Sequence, residues 1–147
     1  MKMDKWLYYA FQLSESSKRQ LHEYVSTQLS EQLQWMDKIY LDHCTLLHRS
    51  QYNNERAVLI KKRLDLLLRT GKTRFTLQVN KVGVSYQAMA FKLVESSFLS
   101  YVCFNQIPHI TIGTTYRGKP VDSNQITDWF DMGCTIGIEV ELKIFYA

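Results

Sequence analysis

From Ile136 to Phe145 the chain alternates without a break: Ile136, Ile138, Val140, Leu142 and Ile144 share one side of an extended backbone, while Glu139, Glu141, Lys143 and Phe145 share the other. Successive side chains of a β-strand point to opposite faces, so this period of two predicts a half-buried strand in a sheet. One face belongs to a core, and the polar face is left to meet water or a ligand.

The rest of the chain has to supply the neighbours and the cover of that strand. Residues 5–13 are rich in aromatics and end at Ser14 to Ser17, whose hydroxyls suit the start of a helix, so a strand is followed by a helix. Within residues 17–29, Leu21, Tyr24, Val25 and Leu29 recur at helical spacing. Residues 39–47 read as a strand embedded in a sheet, and Asn53 or Asn54 caps a second helix whose stripe Ala57, Ile60, Leu64, Leu67 and Leu68 stops before Gly71. Residues 73–82, 84–94 and 98–104 are predicted to form an antiparallel meander, with breaks at Gly83 and at Glu95 to Ser97. Pro108 leads into the alternating strand 109–112. The turn 116–120 precedes a capping-box pattern at 122–125, which predicts a short helix burying Ile126, Trp129 and Phe130 and closed by Gly133. Helices and strands are mixed without the regular alternation of a doubly wound sheet, so the fold class is α+β.

Length and composition narrow the function. A chain of 147 residues with 46% apolar content suits one domain, 1–147, with a real core. No stretch is long and apolar enough for a membrane helix, and no hydrophobic segment follows the N-terminus, so no membrane partner and a cytoplasmic location are expected. Cys44, Cys103 and Cys134 are odd in number and widely spaced, which suits free thiols over a disulfide framework or a zinc motif. A formal charge of +4 is too mild for a protein that coats nucleic acid but fits a small phosphorylated ligand. The basic run Lys61 to Arg63, with Arg69, reads as the water-facing side of the second helix.

The chemistry is carried by an internal echo. His43-Cys44-Thr45-Leu46 and His109-Ile110-Thr111-Ile112 repeat one pattern, and in a strand a spacing of two sets imidazole and hydroxyl side by side. Should the two strands meet, two imidazoles flank one space with two threonine hydroxyls pointing into it. An imidazole titrates near neutrality, so one ring is able to take a proton from a nucleophile while the other gives one to a leaving oxygen. The threonines then hydrogen-bond the non-bridging phosphate oxygens. This equipment cleaves a phosphodiester without a metal or cofactor, and the carboxylates and cysteines do not stand at ligand spacings beside the histidines. Resistance to chelators follows as an expectation.

Paired His-x-Thr-aliphatic strands resemble the two-histidine (2H) phosphoesterase family, and Pro108 to Gly113 looks like its second motif. The resemblance implies a bilobal fold: two related halves with antiparallel sheets around a central groove, helices outside, and His43, Thr45, His109 and Thr111 as catalytic residues. Size and motif placement are most similar to the compact phage anti-CBASS phosphodiesterases, which implies cleavage of 3′–5′ linkages in cyclic di- or trinucleotide signals and evasion of bacterial CBASS immunity. An RNA end-processing enzyme, acting on 2′,3′-cyclic phosphates or 2′–5′ linkages, is the alternative, and a non-catalytic nucleotide-sequestering module is the rival from another class. The expected partner is a cyclic oligonucleotide or short RNA-like substrate, with no obligate protein partner evident. Candidate substrate contacts are Tyr8, Tyr9, Phe11 and Phe145 by stacking, Tyr116 in the loop beyond the second motif, and Glu139 and Glu141 on the polar face of the last strand.

Overall fold

The computed structural model describes residues 5–147. Seven strands form one antiparallel sheet: β1 (Trp6–Leu13), β2 (Lys38–Ile39), β3 (His43–His48), β4 (Arg74–Val84), β5 (Ala88–Leu93), β6 (His109–Thr114) and β7 (Trp129–Tyr146), in the order β2-β6-β5-β4-β7-β1-β3. Among the described residues, four α-helices accompany them: α1 (Glu15–Gln28), α2 (Ser30–Leu33), α3 (Glu55–Arg69) and α4 (Ser97–Val102). The two His-x-Thr strands thus belong to opposite halves of the sheet, and β4 and β7 join the halves along the centre.

Local chemistry explains the helices. Ser14 accepts from the Ser17 amide to start α1, and Asn54 accepts from the Ala57 amide to start α3, so each N-terminus gains a partner for an otherwise unpaired donor. Leu21 and Val25 of α1, and Ala57, Ile60 and Leu64 of α3, are buried. They pack in one core with Tyr9, Phe11 and Leu13 of β1 and Ile138, Val140 and Leu142 of β7, the alternation read from the sequence. No helix among the described residues is long and apolar enough to cross a membrane.

Three segments differ from expectation. Residues 98–104 are not the third strand of a meander: Ser96 accepts from the Leu99 amide at 3.1 Å, and Leu99 and Val102 bury one side of α4 at helical spacing. The cap and the spacing of three outweigh the β-preference of the aromatic residues here. The short helix expected after 122 is a 3-10 turn over Pro120–Gln125 only, because Trp129 and Phe130 pair with Gly83 and Val82 as the start of β7. Ile126 is buried as expected, but Phe130 is exposed, and Gly133, with a positive φ, lies where the β4–β7 register shifts instead of ending a helix.

The third difference builds the site. Residues 39–47 are not one strand but two, β2 and β3, separated where Leu41 takes a left-handed conformation with φ 45°. On one side of this break, the Tyr40 and Leu41 amides donate to the carbonyls of Ile112 and Thr111; on the other, the Asp42 carbonyl accepts from Leu13. The chain therefore crosses from β6, in one half of the sheet, to β1 in the other. A bulky residue in this backbone region costs about 1–2 kcal/mol, which the complete burial of the Leu41 side chain offsets. The crossing curls the sheet and sets β3 against β6.

Candidate active site

The space between β3 and β6 is a cavity of about 510 Å³, and His43, Thr45, His109 and Thr111 all line it. Alternation accounts for their direction: Cys44 and Leu46, Ile110 and Ile112 point into the core from the same two strands. Sequence distance between the two pairs is erased by the Leu41 crossing.

The imidazoles are anchored differently. His109 Nδ1 lies 2.8 Å from the Ile107 carbonyl, and a carbonyl only accepts, so Nδ1 carries the proton and donates. In the neutral ring this leaves Nε2 with a free lone pair. Burial lowers the His109 pKa below its ordinary 6.5, and the nearby His43 lowers it further, against the opposing pull of the Ile107 hydrogen bond. His43 Nδ1 instead faces a carboxylate, Asp42 Oδ2, at 3.2 Å. Asp42 also binds Lys18 Nζ at 3.1 Å. Burial favours protonating Asp42, but the hydrogen bonds from Lys18 and His43 outweigh it and hold the carboxyl below the usual range. A cationic ring is therefore penalised at His109, while a carboxylate stands against the His43 ring.

The hydroxyls are also positioned. Thr111 Oγ1 is 2.9 Å from Ser123 Oγ, a buried side chain in the 3-10 turn after β6. The Thr45 carbonyl accepts from Asn105 Nδ2 at 3.2 Å, and Gln51 Nε2 donates to Asn105 Oδ1 at 3.0 Å. Strand β3 is thus held in place beneath the cavity by a short polar chain. Among the described residues, no group of three or more His, Cys, Asp and Glu is arranged to hold a metal ion.

The other candidate contacts divide. Tyr9 and Phe11 do not reach the cavity: both are buried, Tyr9 donates its hydroxyl to Asp65 of α3, and Phe11 packs on Phe75 and Phe98. Their shared side of β1 is the core side, so the ring that lines the cavity is Tyr8, one step out of phase. Phe145 stacks on Tyr8 with centroids 4.6 Å apart and lies 6.1 Å from the His43 ring, which puts it at the cavity's edge. Glu139 and Glu141 line a separate hollow with Gln12 and Arg74, and Tyr116 lines another beside Arg117.

Sequence reasoning named Tyr8 but missed Tyr40, Asp42, Gln51, Asn105 and Asn124, all of which line the cavity with His48. Asp42 was accessible by its place next to His43. Gln51 and Asn105 carried no such signal, since one lies in a 3-10 turn and the other follows the helix read as a strand. Asp42→Asn is expected to lower kcat about tenfold with little change in KM, because it replaces the carboxylate that orients the His43 ring without altering the cavity's shape; steady-state kinetics check it.

A curled antiparallel sheet that presents two His-x-Thr strands to one cavity defines the two-histidine phosphoesterase class. Within it, the chain belongs to the fungal tRNA ligase phosphodiesterase domain family, whose model matches residues 2–141. The fold is also similar to the crystal structure of a fungal RNA kinase, with a TM-score of 0.68 at 17% identity over 100% of this chain and 46% of that one. The chain thus spans less than half the length of that relative. No curated protein matches it. The family match supports the two-histidine class but not the phage anti-CBASS subgroup.

Proposed function

We propose that the chain is an RNA end-processing phosphodiesterase that opens 2′,3′-cyclic phosphates by acid–base catalysis between His109 and His43. The observation that carries this reading is the unequal anchoring of the two imidazoles on one cavity. His109, kept neutral by burial with its Nε2 lone pair free, is the base: it takes a proton from water as the oxygen attacks phosphorus. His43, backed by Asp42, is the acid and gives its proton to the ribose oxygen whose bond to phosphorus breaks. Thr45 and Thr111 donate to the non-bridging oxygens as charge gathers there. The product is a phosphomonoester, and each ring ends in the other's starting state until protons exchange with solvent.

The family match supports the RNA-end reading over cyclic di- and trinucleotide signals. A panel containing an oligoribonucleotide with a 2′,3′-cyclic phosphate, a 2′–5′-linked dinucleotide and a cyclic dinucleotide tests it by chromatography of the products. The cyclic phosphate end is expected to be consumed fastest; exclusive turnover of the cyclic dinucleotide would restore the signal-degrading reading, and binding without turnover of any member would make the chain a sequestering module. Activity is expected to survive EDTA, and loss that a divalent ion restores would sink the metal-independent mechanism.

The pH profile follows from the direction of the His109 shift. A base works only while unprotonated, so kcat/KM falls as pH drops through the His109 pKa. Because burial lowers that pKa, the acid limb of kcat/KM is expected below pH 6.5, not above it. An acid limb clearly above 6.5 would remove His109 from the role of base.

A further inference from the structure

A second hollow, of about 700 Å³, lies at the far end of β6 and is not part of the catalytic cavity. Three loops converge there, and each brings a large aromatic ring: Trp35 follows α2, Tyr86 sits on the β4–β5 turn, and Tyr116 follows β6. Their relative exposures are 73%, 87% and 83%, which no core role explains. The backbones beneath them are tied together, since the Asp37 amide donates to the Thr114 carbonyl at 2.8 Å and the Thr115 amide to the Gln87 carbonyl at 3.0 Å. Gly118 fixes the approach of the third loop to the second: a Cβ there would lie 2.2 Å from the Gln87 carbonyl oxygen. The rings are therefore exposed on a braced support.

We propose that this hollow is a stacking platform for the single-stranded RNA that leads, on its 5′ side, to the reactive phosphate. The inference rests on the reading of the catalytic cavity given above. Nucleobases stack on exposed aromatic faces whatever their identity, and a neighbouring cation meets the phosphates between them. Arg117 lines the hollow and is the cation placed to meet a phosphate there, beside one carboxylate, Asp37.

Continuity with the catalytic cavity supplies the second argument. The segment from Thr115 to Val121 begins in the platform and ends in the cavity, where Pro120 and Val121 form part of the wall. Strand β6 measures the separation: six residues from His109 to Thr115 span about 20 Å at ~3.3 Å per residue. A strand whose terminal phosphate sits between the histidines has a few nucleotides to cross that distance. The platform thus makes a polymer, not a mononucleotide, the preferred substrate.

The test compares a nucleoside 2′,3′-cyclic monophosphate with a ten-nucleotide single-stranded RNA bearing the same end. The full chain is expected to favour the RNA in kcat/KM by tenfold or more, and Trp35→Ala/Tyr86→Ala to lose that advantage through KM while turning over the mononucleotide as before. Trp35→Phe/Tyr86→Phe, which keeps the ring faces, is expected to retain it. Equal use of both substrates by the unmodified chain, or an unchanged KM for the RNA in the alanine variant, would overturn the platform. Fluorescence anisotropy of a labelled RNA ending in a 2′-deoxy 3′-phosphate separates this from the catalytic reading: if neither substrate is cleaved, a tenfold weaker Kd in the alanine variant still supports the platform, and an unchanged Kd rejects it. Should the double variant fail to fold, Tyr86→Ala alone, on an exposed turn, carries the same comparison.

Discussion

Alanine in place of either His43 or His109 is expected to reduce kcat on a 2′,3′-cyclic phosphate by about 10²–10⁴-fold, with the cavity and the fold intact. Both rings line the cavity and neither is fully buried, so truncation leaves space for water and no large void in the core. In the proposed mechanism the pair acts as a unit, because the proton taken by one ring and the proton given by the other belong to the same displacement. Removing both is therefore expected to cost little more than removing one. Single-turnover rates on a purified cyclic phosphate oligonucleotide measure this. Full activity in both single variants would remove the acid–base mechanism; a steep loss in only one would keep that ring and leave the other as a binding group.

The second large effect is on stability. Phe11→Ala is expected to destabilise the fold by about 3–5 kcal/mol, because it empties a fully buried site between Phe75 and Phe98. For a chain of this size that is a fall in Tm of roughly 10–16 °C. Tyr8→Ala on the same strand is expected to do the reverse, raising KM while moving Tm little, since its ring faces the cavity and stacks on Phe145. Thermal melts and steady-state kinetics of the two variants separate the faces of β1. If Phe11→Ala melted like the unmodified chain and lost substrate binding instead, the assignment of faces would be inverted.

Residues one position apart carry opposite roles here, and this marks where sequence reading reaches its limit. Alternation established that Tyr9 and Phe11 share a side of β1. It did not say which side, because the partner face of an aromatic strand is decided by what packs on it. Asp65 of α3 takes the Tyr9 hydroxyl, and that long-range contact assigns the phase. The same holds for Glu139 and Glu141: their polar face was legible, but the curl of the sheet puts it on a hollow separate from the one that holds the histidines.

What the sequence determined by itself was local: the period of two in β3, β6 and β7, the capped amphipathic helices α1 and α3, and a histidine beside a threonine on each of two strands. These depend on side-chain direction and on neighbours a few residues away, which any short segment reveals. Tertiary structure alone decided that the two pairs meet, because the meeting depends on one buried leucine turning left-handed so that the chain crosses from β6 to β1. It also gave the two imidazoles different surroundings. That difference arises from burial at His109 and from a carboxylate held in place by Lys18 at His43, and both are properties of the folded surroundings, not of the two identical motifs.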